Sequence, residues 1–319
     1  MNIIHDDRLY NEEVKQEYIS THKKGTRNIL ERLFKIASLF EMDLNKDIYD
    51  FNREELRKLF FTFMPSTENA SKSTVLYVSR YIDWAIEEGY LEGMNPLDST
   101  DTAWKKQFAV KPDKFYWTDQ DLHNVLKKLV NAQDALVLYA PFIGILGYEN
   151  AEITNLKQSH IDQDLLTAQV FDADGCSREV EVDEEFIRLV GQAINQDEYI
   201  KSNGNPKEEI RSEAAKLIDN NFVVRSSQTR VKHIEEADKN IVYRRYAVIK
   251  KQFEVPHLTP TFISYSGMLH VAKNYYIENE LEAGFEKIKK QFNVSEATLQ
   301  RYKEEFLNEQ QIVKLYELS

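Results

Sequence analysis

Residues 135–146 (ALVLYAPFIGIL) are apolar at nearly every position and have no polar face. A helix without a polar side must be enclosed by other elements, so this segment is expected to be the buried central helix of a domain. The chain has 319 residues, the length expected for about two domains. It contains 10 Gly and 7 Pro, which argues against a loop-rich or barrel-like β protein. The sequence therefore predicts a mainly α protein with two domains.

The N-terminal third shows helical periodicity in three stretches. Apolar residues recur at three- and four-residue spacings in residues 13–40 and 53–63, and again from Ser71 to Gly89. The serines at the start of the third stretch are expected to cap its helix, and the glycine suits the position after its end. These patterns predict a helical domain over residues 1–108.

Residues 109–116 are polar and lack periodicity, which is typical of a linker. A second domain, residues 117–319, is expected to begin with a helix capped by Thr118 and Asp121. From Glu184 onward the pattern is again helical. Between these helical parts, brief stretches bounded by polar turns predict a small antiparallel sheet with strands at residues 159–161, 167–171 and 178–182.

The chain lacks the sequence motifs of several functional classes. The chain has no apolar run long enough for a membrane span and no apolar signal core near its start, so a cytoplasmic protein is expected. Its one cysteine, Cys176, excludes an internal disulfide and a cysteine-based zinc site. The 7 histidines are scattered, and no phosphate-binding loop or HExxH motif occurs. No metal and no cofactor are therefore expected.

Charge is unevenly distributed along the chain. The 41 Lys and Arg residues stand against 53 Asp and Glu residues, a net charge of −12 that at first disfavours nucleic-acid binding. Residues 222–252 have a local excess of positive charge, with eight basic and three acidic side chains. Such an excess would let one face meet a polyanion while the rest stays acidic. Two ordinary solvated helix faces would give the same pattern, so charge alone leaves both interpretations open.

Three strings carry a resemblance to a known family: GYENAEITNLKQSHID at residues 147–162, TPTFISYS at 259–266 and SEATLQRY at 295–302. The first two are similar to the boxes G-L-R-x-S-E-L-x-x-L-x-W-x-D-I-D and T-P-H-D-L-R-H-T of the tyrosine recombinase (phage integrase) family. The third resembles the segment that ends in the family's nucleophilic tyrosine. The order of predicted elements resembles that family over nearly the whole chain. It implies an N-terminal SAM-like helical core-binding domain and a tyrosine-recombinase-like α domain with a small antiparallel β-sheet.

The same resemblance assigns the family's catalytic positions to residues of other chemistry. In chain order, the arginine, lysine, histidine, arginine, histidine, histidine-or-tryptophan and tyrosine positions fall on Glu149, Ala173, Thr261, Ser264, Tyr265, Asn293 and Tyr302. Only Tyr302 keeps the family's residue type, and its helical spacing from Leu299 and Phe306 favours a packing role. Without the arginines that clamp a phosphate and the groups that move protons, the resemblance implies a chain that is not an enzyme.

A recombinase that has lost its catalytic residues would keep the family's clamp around duplex DNA. A clamp that binds DNA without cutting it suits the regulation of transcription. The overall pattern is similar to that of integrase-like master repressors of SPβ-type Bacillus prophages. It implies a sequence-specific repressor that maintains lysogeny by occupying an operator in double-stranded DNA, at the nucleoid of a bacterial cytoplasm. An accessory DNA-binding factor in recombination or plasmid maintenance, and an acidic partner-binding module, remain alternatives. A repressor of this kind could have a protein antirepressor or co-regulator as its partner. No membrane contact is expected. The sequence leaves the oligomeric state open.

Twelve side chains are the expected DNA contacts, because they are basic or polar and lie near helix ends or in the basic stretch. They are Lys23, Lys24, Arg27, Ser71, Lys72, Ser73, Arg225, Gln228, Arg230, Lys232, Arg244 and Arg245. Adjacent helical residues point about 100° apart, so at most one of Arg244 and Arg245 can face a phosphate squarely. Arginine forks on guanine, or Gln228 on adenine, would read the sequence while the other contacts position the backbone.

Overall fold

A computed structural model describes residues 9–65, 67–110, 115–205, 212–228, 236–238 and 240–318. The chain divides into two compact units, Met1–Asp113 and Lys114–Ser319. Within the described residues most elements are helices, and the strands form two small antiparallel sheets. The predicted mainly α fold class with a small antiparallel sheet is confirmed.

The N-terminal unit is a bundle of helices. They are α1 (Glu12–Ser20), α2 (Lys24–Leu44), α3 (Arg53–Thr62), α4 (Glu68–Glu87) and α5 (Thr102–Lys106), with a 3₁₀ turn at Ile48–Asp50. The predicted helix over residues 13–40 is in fact two helices, and α4 begins earlier than expected. Its cap is Thr67, whose side chain accepts a hydrogen bond from the Ala70 amide, so Ser71 and Ser73 lie inside the helix.

The core of this unit is rich in aromatic side chains. Phe34 of α2 and Tyr81 of α4 are almost fully buried, and their ring centroids lie 4.8 Å apart. Lys15 of α1 is also buried here, where its ammonium pairs with the carboxylates of Glu41 and Asp47. A charge persists in such a core only when hydrogen-bond acceptors surround it.

The C-terminal unit is built around the segment that is apolar on all sides. The predicted helix over residues 135–146 becomes helix α7 (Ala132–Tyr139) followed by a 3₁₀ turn at Ala140–Ile143, because Pro141 has no N–H for an α-helical hydrogen bond. The α7 side chains are buried, which confirms the predicted central position of this segment. The helices of the unit are α6 (Asp119–Leu126), α7 (Ala132–Tyr139), α8 (Ala151–Thr154), α9 (Glu184–Ile194), α10 (Asn240–Phe253), α11 (Pro260–Ile277), α12 (Leu281–Gln291), α13 (Glu296–Glu305) and α14 (Glu309–Tyr316).

Two antiparallel sheets complete this unit. The first has the strand order β1 (Ile161–Asp162), β2 (Thr167–Phe171), β3 (Ser177–Glu181), close to the predicted strands. The second, β4 (Glu198–Ile200) paired with β5 (Ala214–Lys216), lies in a region that the sequence predicted to be helices and loops. That prediction was wrong because strands of three residues are too short to show an alternating pattern.

Candidate nucleic-acid interface and recombinase-like site

Tyr302 lies on α13, where Ser295 caps the helix start by accepting a hydrogen bond from the Thr298 amide. The hydroxyl of Tyr302 accepts a hydrogen bond from the hydroxyl of Tyr265 on α11, at 3.3 Å. The two rings pack edge to face with centroids 5.0 Å apart, and Phe306 stacks on Tyr265 at 4.4 Å. The fold therefore brings together two positions that the resemblance assigned to catalysis, inside an aromatic cluster.

The phenol of Tyr265 is a weaker acid than a tyrosine in water. Burial raises the pKa of its phenol, and the hydrogen bond to Tyr302 raises the pKa further. A phenol with a raised pKa stays protonated at neutral pH, so Tyr265 can donate a hydrogen bond but cannot take a proton from a neighbouring hydroxyl. The histidine that the family box has at this position could do both.

The two other positions of that box lie on the first turns of α11. Pro260 opens the helix, and Thr259 caps it by accepting a hydrogen bond from the Phe262 amide at 3.1 Å. Thr261 is exposed and Ser264 is buried. Neither side chain is charged, so these two positions offer no cation to a phosphate.

Glu149 and Ala173 lie in two adjacent turns, and both are exposed. The Tyr148 amide donates a hydrogen bond to Asp172 Oδ1 at 2.7 Å, which ties the loop before α8 to the turn between β2 and β3. Gly147 makes this approach feasible: it has φ +69°, and a Cβ there would lie 2.9 Å from the same Asp172 oxygen. The two turns therefore present a carboxylate and a methyl group where the family would have an arginine and a lysine.

A partly buried ion pair, which no sequence pattern singled out, joins these turns to α12. Arg178 of β3 donates two hydrogen bonds to Glu152 of α8, Nε to Oε1 at 2.7 Å and Nη2 to Oε2 at 2.8 Å. It also donates to the carbonyl oxygens of Gly144 and Gln291, at 2.6 and 2.9 Å. Bidentate pairing between an arginine and a carboxylate fixes the geometry of both side chains. Its only sequence signal is that Glu152 stands in the first family box, because the partner arginine is 26 residues away.

Asn293 lies just after Phe292, the residue that caps the C-terminal end of α12. It is exposed and has φ +51°, a left-handed conformation that asparagine tolerates better than most residues. The Val294 amide then bonds to the Lys289 carbonyl at 3.1 Å and closes the helix end. Asn293 therefore has a conformational role in ending α12.

Three of the predicted DNA contacts lie at the start of α2. Lys23 precedes the first helical residue, Lys24, and both are exposed, as is Arg27. The first turn of α2 has no acidic residue, so these cations stand where the helix dipole favours negative charge. Arg27 also donates hydrogen bonds to the carbonyls of His22 and Ser20, at 2.5 and 2.6 Å, which fixes the corner between α1 and α2.

The predicted DNA contact at Ser71 is wrong. Ser71 is fully buried, and its hydroxyl donates a hydrogen bond to the Lys105 carbonyl at 2.6 Å. Lys72 is half-buried and Ser73 is exposed. These two stay in the predicted set as side chains on the surface of α4, not at its N-terminus.

The predicted contacts at Arg225 and Arg245 are also wrong, because each residue is only 5% exposed. Nη2 of Arg225 donates to carbonyl oxygens at the end of α9, those of Ala193, Ile194 and Gln196, at 2.5 to 3.0 Å. The partial negative charge of a helix C-terminus suits a guanidinium at this place. Arg225 therefore holds the interior of the unit together.

Arg245 of α10 makes a second set of internal contacts. Its Nη1 lies 3.1 Å from Asp134 Oδ1 on α7, and its Nη2 donates to the Arg225 carbonyl at 3.1 Å. The guanidinium also lies 4.0 Å from the centre of the Tyr199 ring. Burial raises the pKa of Asp134, and the Arg245 charge opposes that rise. The arginine thus supplies a positive charge to a buried carboxylate that otherwise accepts hydrogen bonds, among the described residues, only from the neutral side chains of Asn131 and Tyr199.

Two of the remaining predicted contacts in the basic stretch, Arg244 and Gln228, lie on the surface. Arg244 is exposed and lies 3.5 Å from Asp238 Oδ2, a pair that water screens. Gln228 is exposed, and its amide donates to the Leu217 carbonyl at 3.3 Å. Arg230 and Lys232 lie outside the described residues.

Two family models match the chain. The model described as "MrpR, N-terminal core-binding domain" matches residues 9–87, and the one described as "MrpR, C-terminal catalytic domain" matches residues 116–317. The second match alone covers more than half of the chain. The protein belongs to the MrpR family. All the positions that the resemblance assigned to catalysis lie within the MrpR C-terminal domain.

A relative of this MrpR-family chain is the SPbeta prophage-derived uncharacterized protein YopR of Bacillus subtilis (strain 168), 28% identical over 273 residues, which are 85% of this chain and 83% of YopR. Among solved structures, a Tn1549 transposon integrase in complex with circular intermediate DNA aligns over 97% of this chain and 99% of its own, with TM-score 0.51 and 13% identity. A lambda integrase dimer bound to a COC' core site aligns over 93% and 95%, with TM-score 0.50 and 11% identity. These likenesses confirm the predicted integrase fold.

Two further observations concern the part of this MrpR-family chain that the structure describes. No helix there combines the length and the apolar character needed to cross a bilayer. The same residues contain no group of three or more histidine, cysteine or carboxylate side chains arranged to hold a metal ion.

Proposed function

We propose that this MrpR-family protein is a sequence-specific DNA-binding repressor that maintains prophage lysogeny and binds DNA without cleaving it. The observation that carries this proposal is the setting of Tyr302, whose hydroxyl meets a neutral phenol instead of a base. The two arginine positions hold Glu149 and Ser264. Removing one electrostatic donor from an active site typically costs about 10²–10³ in rate, so losing both arginines together with the acid and base leaves no catalyst.

Three observations support DNA binding and a prophage role. The solved integrases of the same fold are bound to DNA, as their descriptions state. Lys23, Lys24 and Arg27 form an exposed cationic corner in the part that matches the core-binding domain. The relative YopR is prophage-derived. Because the net charge is −12, DNA contacts depend on such local patches and non-specific affinity is expected to be weak.

A gel-shift assay tests the binding. The full chain is titrated against fragments of the encoding prophage at about 50 and 200 mM salt, a range over which non-specific binding falls steeply. A repressor retains one or a few promoter fragments at the higher salt. Retention only of recombination-site fragments would favour the accessory factor, and no retained fragment at either salt would favour the partner-binding module.

A nicked suicide substrate tests the absence of cleavage. We expect no covalent protein–DNA adduct with the wild-type chain or with Tyr302→Phe. An adduct that forms with the wild type and disappears in Tyr302→Phe would show that the tyrosine is an active nucleophile.

A further inference from the structure

A lysine and two carboxylates are buried together where α1, the end of α2 and the turn after it meet. Lys15 Nζ donates hydrogen bonds to Glu41 Oε1 at 2.6 Å and to Asp47 Oδ2 at 2.8 Å. The side chains of Lys15 and Glu41 are fully buried, and that of Asp47 is 2% exposed. One cation thus faces two carboxylates away from water. A buried excess of negative charge is costly unless a proton neutralises it.

The two carboxylates differ in their hydrogen bonds. Asp47 Oδ1 accepts from the Tyr81 hydroxyl at 3.0 Å, and Oδ2 accepts from Lys15 and from the Asn11 amide at 3.2 Å. Glu41 Oε1 accepts from Lys15 and from a backbone N–H, but no described residue donates to its buried Oε2. A buried oxygen without a donor costs more on a charged carboxylate than on a neutral carboxyl. Glu41 is therefore the group that holds the neutralising proton.

The groups that face Glu41 from α1, α4 and the turn after α2 agree with this assignment. Burial raises the pKa of Glu41 to about 8, while the Lys15 charge opposes this rise and the Asp47 charge adds to it. Burial also raises the pKa of the Tyr81 phenol on α4, and the Asp47 charge raises it further. Tyr81 therefore stays a neutral donor, and Glu41 is the group that titrates between pH 7 and 9.

Three titratable groups surround this network at its edge. Lys46 is paired with Glu55 Oε2 of α3 at 2.7 Å, so its charge is already matched. Burial raises the pKa of the Tyr49 phenol, and the charges of Asp47 and Asp50 raise it further. These groups therefore bring no unmatched positive charge to Glu41.

Helix α1 depends strongly on the contacts made by this network. It has nine residues and no side-chain cap at its start, and isolated helices shorter than about 12 residues are marginal in water. Lys15 anchors it from the middle and also donates to the Tyr10 carbonyl at 2.8 Å. Arg27 of α2 binds the carbonyls of Ser20 and His22, at and just after the end of α1. A change at Lys15 therefore reaches the cationic corner through α1.

We propose that Glu41 is a proton-dependent switch that controls how firmly α1 and the cationic corner are held. With its proton, Glu41 is neutral, the Lys15–Asp47 pair is matched and α1 is docked. Without the proton, the buried site has one uncompensated negative charge, which is relieved when α1 loosens and water reaches the carboxylates. The switch belongs to the N-terminal unit and does not depend on DNA binding, so its test uses the full chain alone.

The direction of the effect follows from proton binding. Docked Glu41 keeps its proton up to about pH 8, whereas a glutamate in water loses it near its ordinary pKa of about 4.3. Between these values the docked state binds one more proton than the loosened state. The stabilisation is therefore complete at acid pH and is lost as the pH rises through about 8. Between about pH 5 and 8, each pH unit raises the equilibrium constant for loosening by up to about tenfold.

Hydrogen exchange of the full chain tests the switch, followed by mass spectrometry at pH 7 and 9 and corrected for the intrinsic exchange rate. In the wild type, we expect the opening constant of α1 peptides to rise about tenfold over this range. Glu41→Gln should remove this rise, because its side chain is neutral at every pH. Glu87→Gln, the same substitution at an exposed residue of α4, should keep it. Peptides from α13, in the other unit, are the internal reference.

A second measurement follows the proton itself. In a chain labelled with ¹³C at the glutamate carboxyl groups, one NMR resonance should titrate near pH 8 in the wild type and be missing from Glu41→Gln. The wild-type titration does not depend on how well the variant folds.

Three outcomes would overturn the proposal. The first is that no glutamate resonance titrates above about pH 6 in the wild type. The second is an equal pH dependence of α1 opening in the wild type and in Glu41→Gln. The third is that Glu87→Gln removes this pH dependence as completely as Glu41→Gln does.

Discussion

Basic side chains at the start of α2 and two arginines of residues 222–252 have opposite relations to solvent. At the start of α2, Lys23 and Lys24 are exposed and have no acidic residue in the first turn beside them. In residues 222–252, Arg225 and Arg245 point into the core of their unit. The position of a cation in the sequence therefore does not decide whether it is exposed, because Arg225 and Arg245 find acceptors inside their unit.

The acceptors explain the difference. Arg225 meets the carbonyls that end α9, and Arg245 meets Asp134, a residue 111 positions earlier in the chain. Carbonyls at a helix end and a buried carboxylate are both poorly satisfied without a cation. The corner at α2 contains the opposite end of a helix, which has donors to satisfy and repels cations. The predictions below test this contrast.

The largest effect is expected for Arg245→Ala. Removing the guanidinium leaves Asp134 buried without its ionic partner, which should lower the free energy of unfolding by about 3–5 kcal/mol. Chemical denaturation measures the loss. Arg244→Ala, one position away and exposed, is the matched control and should change stability by less than about 0.5 kcal/mol. Equal effects of the two substitutions would contradict the buried role of Arg245.

A smaller loss is expected for Arg225→Ala. The carbonyls of Ala193, Ile194 and Gln196 lose a charged donor, which should lower the free energy of unfolding by about 1.5–3 kcal/mol. Operator affinity measured below the unfolding transition should stay close to that of the wild type. Reduced affinity in a fully folded variant would return Arg225 to the set of DNA contacts.

Charge reversal at the start of α2 should move stability and DNA affinity in opposite directions. Lys23→Glu with Lys24→Glu places acids at a helix N-terminus, which should raise the free energy of unfolding by about 0.3–1 kcal/mol per site. The same change should weaken DNA binding and reduce the slope of log affinity against log salt by about two units, because two phosphate contacts are lost. An unchanged salt slope would place the DNA surface elsewhere. Lys58→Glu, at an exposed residue of α3, has the same charge change as either single reversal and serves as their control.

The smallest effect is expected for Tyr302→Phe. This change removes one hydrogen bond with the Tyr265 hydroxyl and keeps the ring contacts, so the free energy of unfolding should fall by about 0.5–1.5 kcal/mol at most. DNA affinity should be unchanged, as measured by gel shift. A large loss of affinity would show that the hydroxyl contacts DNA directly.

The sequence alone was enough for the helical class, the buried segment around residues 135–146, the small sheet and the likeness to integrases. Each of these depends on periodicity or on short strings, which are local properties of the chain. The same strings placed Tyr302 and Tyr265 at family positions, and the structure joins their hydroxyls. The short β4–β5 pair escaped because strands of three residues are too short to show an alternating pattern.

Only the tertiary structure decided what most of the charged side chains do. Whether an arginine faces DNA or the core depends on acceptors far away in sequence, as with Arg245 and Asp134 or Arg178 and Glu152. The excess negative charge around Lys15 likewise arises where α1, the end of α2 and the turn after it meet. Composition fixes how many charges the chain carries, but burial and pairing fix their energies, and both come from contacts between elements that the fold brings together.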